Sequence, residues 1–242
     1  MKVNIVFPVY NEEIRIKHGI EALLQYLEIH KEIRYIITIV DNGSTDNTEN
    51  IAREYADNNN SIYYIKIEEK GVGIAFKTAV KVNCCDIIGY MDIDLSTDIN
   101  ALSDVWSIFN TEKSVDIVNS TRYSKKSELI GRTKIRNFIS FCCVKLLKSQ
   151  LGMKSSDAIC GFKFFKKNIA EMLVDESSDE PGWFGIIEMI IRAERKGIVI
   201  KELPVRWVYE KHTKVKILKV TLNYLKQIIR LKKIFAKEEY NE

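Results

Sequence analysis

Four apolar runs, each ending in polar or acidic residues, constrain the fold of this chain more than any other feature. "KVNIVFPVY" (2–10), "RYIITIVD" (34–41), "SIYYIKIE" (61–68) and "CDIIGYMD" (85–92) are rich in β-branched and aromatic residues, as strands are. Between them lie helical patterns: "EEIRIKHGIEALLQYLEIHK" (12–31), "ENIAREYADN" (49–58), and a helix opened by the glycine-punctuated "EKGVGIA" (69–75). This alternation continues to about residue 120 and predicts a mostly parallel sheet with helices on both faces, since parallel strands need crossover helices to join them. In such sheets ligands bind beyond the carboxyl ends of the strands. "YNEE", "DNGS" and "DID" fall there, after the first, second and fourth runs.

The run "DIIGYMDIDLSTD" (86–98) poses an electrostatic problem. Asp92 and Asp94, two residues apart on extended backbone, point to one side and repel unless solvated or neutralised. They read either as a solvated turn or as ligands of a hard divalent cation that takes its remaining oxygens from a phosphate. Asn11 reads as a cap of the helix that follows and, with Tyr10, as a contact for a base or sugar; the two roles are compatible. "VDNGSTD" reads as an Asx-type turn, with Asp41 at the strand end as the residue expected to face a ligand. "KGVGIA" offers open backbone near a diphosphate with Lys70 as counter-charge, and matches neither the Walker nor the dinucleotide fingerprint.

After residue 122 the rhythm changes. "RYSKKSELIGR" is polar, "TKIRNFISFCCVKLLKSQLG" (133–152) reads as a helix with basic flanks, "CGFKFF" and "IVIKELPVRW" read as late strands, and "GIIEMIIRAERKG" as the helix between them. In the tail, Leu218, Leu222, Leu225 and Ile229 form one apolar stripe, with Lys219, Lys226, Arg230, Lys233 and Lys237 mostly elsewhere. The formal net charge of +4 hides an asymmetry: residues 211–237 hold nine Lys/Arg and no acid, which leaves −5 for the rest. Residues 122–154 are basic as well, with Glu128 their one carboxylate. Two such regions suggest a face that meets anions. A nucleic-acid partner would leave the strand-end acids unexplained, so none is expected. Five cysteines without zinc spacing read as core thiols of a reducing compartment, and the expected location is cytoplasmic. The opening residues reach Pro8 and two acids too soon for a signal peptide, and no run approaches the ~20 apolar residues of a spanning helix.

Taken in order, "PVYNE", "VDNGSTD", "KGVGIA" and "MDIDLS" resemble glycosyltransferase family 2 with the GT-A nucleotide-sugar fold. "NSTRY", "SSDAICGFKFF", "IIEMIIRA" and "ELPVRW" resemble its polyprenyl-phosphate branch, the dolichyl-phosphate mannose and glucose synthases, so that the likeness covers roughly residues 3–214. It implies a catalytic domain over 1–212, with a donor half (1–121) and an acceptor half (122–212), followed by a basic amphipathic C-terminal helix over 213–242. It implies a donor pocket of Pro8, Tyr10, Asn11, Glu12, Asp41, Asp92 and the Lys70, Gly71, Gly73 loop for UDP-glucose or GDP-mannose. Asp92 and Asp94 would hold Mg²⁺ or Mn²⁺. Arg122, Arg136 and Ser140 match positions that grip the acceptor phosphate, with help from Lys214; Asp94, Arg122, Arg136 and Asp157 are the implied catalytic set. Three departures stand out: Asn42 where a second Asp is usual, Ser96 where a metal-binding Gln can occur, and Ile186 where the glucosyl branch often has Asp.

The activity this implies is inverting transfer of a hexose to a polyprenyl phosphate, by an enzyme adsorbed on the anionic cytoplasmic face of a membrane. Transfer to a saccharide hydroxyl is the alternative; it needs a base, for which Asp157 is the candidate. A non-catalytic sensor of nucleotide sugars is the alternative of another class.

Overall fold

The structure, a computed structural model, describes residues 1–209 and 217–241, the side chains of 217–219 and 241 excepted. Lys214 lies outside the described residues. In chain order the elements are β1 (Val3–Val9), α1 (Ile16–Ile29), β2 (Tyr35–Asn42), α2 (Thr48–Asn58), β3 (Ile62–Ile67), α3 (Val72–Lys81), β4 (Ile87–Met91), α4 (Ala101–Thr111), β5 (Ile117–Thr121) and β6 (Glu128–Ile130). They continue with α5 (Lys134–Leu151), β7 (Phe162–Lys166), α6 (Lys167–Glu176), α7 (Trp183–Arg195), β8 (Ile200–Pro204), β9 (Arg206–Val208) and α8 (Ile217–Asn241).

Seven strands form the main sheet in the order β3-β2-β1-β4-β7-β5-β8. The first four are parallel, with Val3 opposite Tyr35 on one side and opposite Ile87 on the other. β1 lies at the switch point, because the chain moves outward through β2 and β3 and then returns to β4 on its other side. β7 runs antiparallel between β4 and β5, so a strand from the second half of the chain is inserted at the centre of the sheet. Strands from both halves of the chain therefore share one sheet. Gly89 on β4 permits this close approach: a Cβ there would stand 2.2 Å from the Phe164 ring and 2.5 Å from the Lys163 carbonyl.

Burial explains the apolar runs. β1, β2, β4 and β7 are covered on both faces, with Phe7, Ile5, Ile37 and Phe164 facing one core and Val6, Val40, Ile88 and Phe165 the other. Cys85 and Cys160 are core thiols as expected, whereas Cys84 and Cys142 are exposed.

The C-terminal helix buries a face other than the stripe of Leu222, Leu225 and Ile229. The face of α8 that enters the core carries Tyr224, Ile228, Leu231 and Phe235, spaced i, i+4, i+7, i+11. Leu222 and Ile229, of the apolar stripe read from the sequence, are 67% and 60% exposed, and Leu225 is also outward. The helix has two apolar faces about a third of a turn apart, and the aromatic one is buried. α8 also lies along α5 in the same direction, since Cys143 meets Thr221 and Gln150 meets Lys232. It packs into the same core as the strands, which joins it to the catalytic body.

This orientation sets a paired test. Phe235→Ala should cost ~3–5 kcal/mol in denaturant unfolding, as loss of a buried ring does. Ile229→Ser should stay within ~0.5 kcal/mol of the parent. A larger cost for Ile229→Ser than for Phe235→Ala would place the helix the other way round.

Candidate active site

The strand-end clusters converge outside the carboxyl edge of β2, β1 and β4, where the sequence places them. After β1 the chain turns sharply at Asn11, whose φ of +54° is in the left-handed region that Asn tolerates. Its amide N–H donates to Ser44 Oγ (2.9 Å) and its Oδ1 accepts from the Thr45 N–H (2.7 Å). Asn11 thus ties the end of β1 to the turn after β2 and does not cap α1, which opens five residues later.

Asp41, expected to face a ligand, is fully buried beneath that turn. Its Oδ1 accepts from the Ser44 N–H (2.8 Å) and its Oδ2 from the Tyr64 hydroxyl (3.1 Å). Burial and this carboxylate push the Tyr64 phenol up, so it remains a donor. The neighbouring departure, Asn42, has a physical explanation. Its Nδ2 donates to the Val9 carbonyl (2.7 Å) while its Oδ1 accepts from the Gly71 N–H (3.1 Å). A carboxylate cannot make the first of these bonds. Asn42 therefore fixes the Lys70–Gly73 loop to the end of β1. Above it, the Lys70 ammonium bonds the Tyr10 hydroxyl at 2.6 Å, which brings those two donor-pocket candidates together.

Beyond β4, Asp92 and Asp94 stand side by side, both half-buried. Asp94 Oδ1 accepts from the Ser96 N–H (3.0 Å), and Leu95 between them takes a φ of +52°. Burial and then the Asp94 charge push the Asp92 carboxyl up to about 7, against the opposing pull of Lys163 and Arg122. Gly161 makes room for it, since a Cβ there would lie 2.1 Å from Asp92 Oδ2. Ser96 is buried and its carbonyl accepts from the Val208 N–H (2.7 Å), so its backbone straps this loop to β9. Asp98, third in the acidic run, bonds the Asn100 N–H in front of α4 and pairs with Arg206.

Two cations that sequence reasoning missed complete the cluster. Arg15 holds both carboxylate oxygens of Glu12 (2.7 Å each) and approaches Asp94 at 3.8 Å. Lys163 is fully buried on β7, bonds the Cys160 carbonyl, and is pushed down by burial. "NEEIR" hinted at the first, an arginine inside an acidic strand end. Nothing in "GFKFF" marked the second beyond a lysine in an apolar run.

The residues expected to grip an acceptor phosphate lie at different depths. Arg122 is buried, and its Nε and Nη2 form a fork on Asp157 at 2.7 and 3.1 Å. Asp157 also accepts from the Ile159 and Cys160 amides (2.9 and 3.2 Å). Burial pushes its carboxyl up, but Arg122 outweighs that and holds it below its ordinary range. So Asp157 is a saturated structural anion unsuited to act as a base, and the Arg122 fork is directed at Asp157. The guanidinium groups nearer the surface are Arg136, over the Tyr209 ring at 5.2 Å, and Arg132, absent from the sequence assignment. Arg132 lies over the Trp207 ring (5.5 Å) and donates to Ser140 Oγ (2.5 Å), and its buried Nη1 has no partner among the described residues.

Among the described residues no group of three His, Cys, Asp or Glu side chains forms a metal cage. The Asp92/Asp94 pair fits a hard cation on other grounds: two adjacent carboxylates, one carrying a proton affinity that a cation would relieve, suit an ion that takes its other ligands from phosphate or water.

Comparison with known proteins gives the family and the fold. The model of the family described as "Glycosyl transferase family 2" matches residues 4–173. The chain is 28% identical over 232 residues to glycosyltransferase AglD of Haloferax volcanii, covering 95% of this chain and 37% of the relative. It is 27% identical over 217 residues to dolichyl-phosphate beta-glucosyltransferase ALG5A of Trichomonas vaginalis, covering 85% of this chain and 65% of that protein. The chain thus spans less than two thirds of the length of these relatives. Among solved structures, glucosyl-3-phosphoglycerate synthase from Mycobacterium tuberculosis, in complex with Mn²⁺, UDP and glucosyl-3-phosphoglycerate, has a TM-score of 0.65 at 17% identity, covering 94% of this chain and 77% of that one. Mannosyltransferase PcManGT from Pyrobaculum calidifontis, in complex with GDP-Man and Mn²⁺, has a TM-score of 0.56 at 18% identity, covering 87% of this chain and 58% of that one. These likenesses show the fold, which is GT-A.

The carboxylate pair can be tested without any substrate. Asp94→Asn removes a negative neighbour, so the Asp92 titration followed by carboxyl ¹³C NMR should move down from about 7. Gly161→Ala forces the Asp92 carboxylate aside and should destabilise the fold by ~1–3 kcal/mol. A midpoint unchanged in Asp94→Asn would mean that burial alone sets it.

Proposed function

The chain belongs to glycosyl transferase family 2, and from that premise we propose that it transfers a hexose from a nucleotide sugar to a polyprenyl phosphate at a membrane surface. The observation that carries the acceptor half of this reading lies at the start of α5. Arg132 and Arg136 sit there, and the same stretch of helix exposes Ile135 (72%), Phe138 (67%) and Phe141. A guanidinium pair beside exposed apolar side chains suits a phosphate with a hydrocarbon tail. Leu222, Leu225 and Ile229 on the parallel α8 extend that apolar surface. Farther along both helices Lys145, Lys148, Lys232 and Lys233 are exposed, which suits anionic headgroups at about 1 kcal/mol per basic residue. No helix of the described residues is long and apolar enough to cross a membrane, so the contact proposed is peripheral. The relatives named dolichyl-phosphate beta-glucosyltransferase support the same acceptor and make UDP-glucose the first donor to try.

The chemistry needs no protein base. A phosphate monoester has a second pKa of about 6 and is largely dianionic at neutral pH, so it attacks the anomeric carbon directly and inverts it. The protein's task is placement. Arg132 and Arg136 orient the acceptor phosphate, Tyr10 and Lys70 flank the donor, and the Lys70–Gly73 backbone approaches the donor diphosphate. Asp92 and Asp94 would hold Mg²⁺ or Mn²⁺, which supplies neutralisation of charge on the departing nucleoside diphosphate. Transfer to a saccharide hydroxyl is less well supported, because Asp157, its candidate base, is locked by Arg122.

The test is incubation with UDP-glucose or GDP-mannose, a short polyprenyl phosphate and Mn²⁺ or Mg²⁺, read as radiolabelled sugar in the organic phase. Lipid-linked hexose should form, and Asp92→Ala with Asp94→Ala should lower its rate on the order of a hundredfold or more. No product from either donor, or an undiminished rate in the double variant, overturns the reading. Phe138→Ser with Ile229→Ser should weaken flotation with anionic vesicles and leave melting unchanged; unaltered flotation would remove the membrane contact from the proposal.

A further inference from the structure

A second role of α8 emerges from the side that faces the protein. Residues 177–182 (SSDEPG), between α6 and α7, are wedged between α8 and the Lys70–Gly73 loop. On the donor side the fit leaves no space. The Ile74 N–H donates to the Pro181 carbonyl (3.0 Å), and the buried Lys77 donates to the Ser178 carbonyl. A Cβ at Gly71 would stand 2.1 Å from the Pro181 oxygen, and one at Gly73 2.3 Å from the Gly182 oxygen. Those two glycines are thus required by the wedge behind the loop, whatever ligand lies in front of it.

On the other side α8 holds the same wedge at two points. Arg230 Nη2 donates to Ser178 Oγ (2.6 Å) and to Glu188 Oε2 (3.1 Å), and the fully buried Glu188 accepts from the Ser178 N–H (3.1 Å). Seven residues earlier, Asn223 Nδ2 donates to Glu180 Oε1 (3.3 Å), whose other oxygen accepts from the Gly185 N–H in the first turn of α7 (2.7 Å). The contacts form a chain: α8, then residues 177–182, then the backbone of the loop. Chemically Asn223 and Arg230 touch nothing that reacts.

We propose that Asn223 and Arg230 are positioning residues for donor binding: through Glu180 and Ser178 they set the wedge that fixes the Lys70–Gly73 loop. The inference rests on the reading of that loop as part of the donor site. It predicts that loosening the inner face of α8 weakens the donor and spares the acceptor, which meets the start of α5 and the outer face of α8.

The test uses the full chain carrying Asn223→Ala with Arg230→Met, and Arg230→Lys as the conservative change. Amide hydrogen exchange is followed without any nucleotide, and KM is measured separately for nucleotide sugar and for polyprenyl phosphate. The double variant should still melt cooperatively. Exchange at Ile74 should quicken by roughly tenfold, and the donor KM should rise by roughly tenfold with the acceptor KM within about twofold of the parent. Arg230→Lys, which keeps a cation between Ser178 and Glu188, should recover much of both effects and covers the case in which the double variant fails to fold. Unchanged exchange at Ile74, or a rise in both KM values together, overturns the inference. If the parent chain with Mn²⁺ binds neither UDP-glucose nor GDP-mannose, the donor-site reading falls, while exchange at Ile74 still decides whether α8 holds the loop.

Discussion

Two carboxylates at the end of a buried strand repel each other, and the surroundings of the site answer that repulsion. Asp92 and Asp94 close β4 at the switch point of the sheet, and burial together with mutual repulsion makes Asp92 hold a proton up to about 7. The protein supplies partial compensation from three directions. Arg15 enters from the loop after β1, Lys163 from β7 below, and Arg122 from the end of β5. None of the three cations bonds Asp92 directly; each acts through space or through another acid. The pair is therefore under-neutralised where a sugar nucleotide's phosphates would gather, as a cation site needs.

The same requirement accounts for the antiparallel strand in an otherwise parallel region. Only a strand running back beside β4 sets Gly161 and Lys163 against the acid pair, the glycine leaving space for the Asp92 carboxylate and the lysine its charge. The loop before that strand carries Asp157, which anchors Arg122 through two hydrogen bonds with both partners buried. Breaking such a pair leaves an uncompensated buried charge and costs about 3–5 kcal/mol. Arg122 and Asp157 thus tie the end of β5 to the loop before β7 and place a positive charge behind the Asp92/Asp94 pair. Arg132 and Arg136 are more accessible than Arg122.

What the sequence made legible follows from how local each signal is. The parallel half was readable because strands buried on both faces must be apolar throughout, and their ends must change character where the sheet meets solvent. The strand-end positions of Tyr10, Glu12, Asp92 and Asp94 follow from that alone. β7 was recognised as a strand, but its direction was not, since neighbour and direction are set by long-range pairing. Asp41 was placed at the ligand surface because a strand-end acid usually faces outward; the Asn11–Ser44–Thr45 bonds fold the turn over it instead. Arg15, Arg132 and Lys163 escaped notice because a lone cation acquires meaning only from the partner that the fold brings to it. Asn42 looked like a lost acid, and its use became clear only when one amide was seen bonding two backbones.

The tail illustrates a deeper ambiguity in periodicity. A helix apolar on one stripe announces which face is buried; one with two stripes does not, and in α8 both are present. Side-chain size decides between them, since Tyr224 and Phe235 fill space behind α7 and α5 that Leu222 and Ile229 would leave partly empty. The outer stripe then needs another reason to be apolar, because an exposed contiguous patch is unfavourable in water unless something covers it. On the proposed reading a lipid surface does so, and the polar groups on the inner side, Asn223 and Arg230, reach the wedge behind the donor loop. One rigid helix would then stand between the surface that presents the acceptor and the loop that holds the donor. A change in how α8 is seated would be transmitted to that loop by direct contact, with no long path through the sheet.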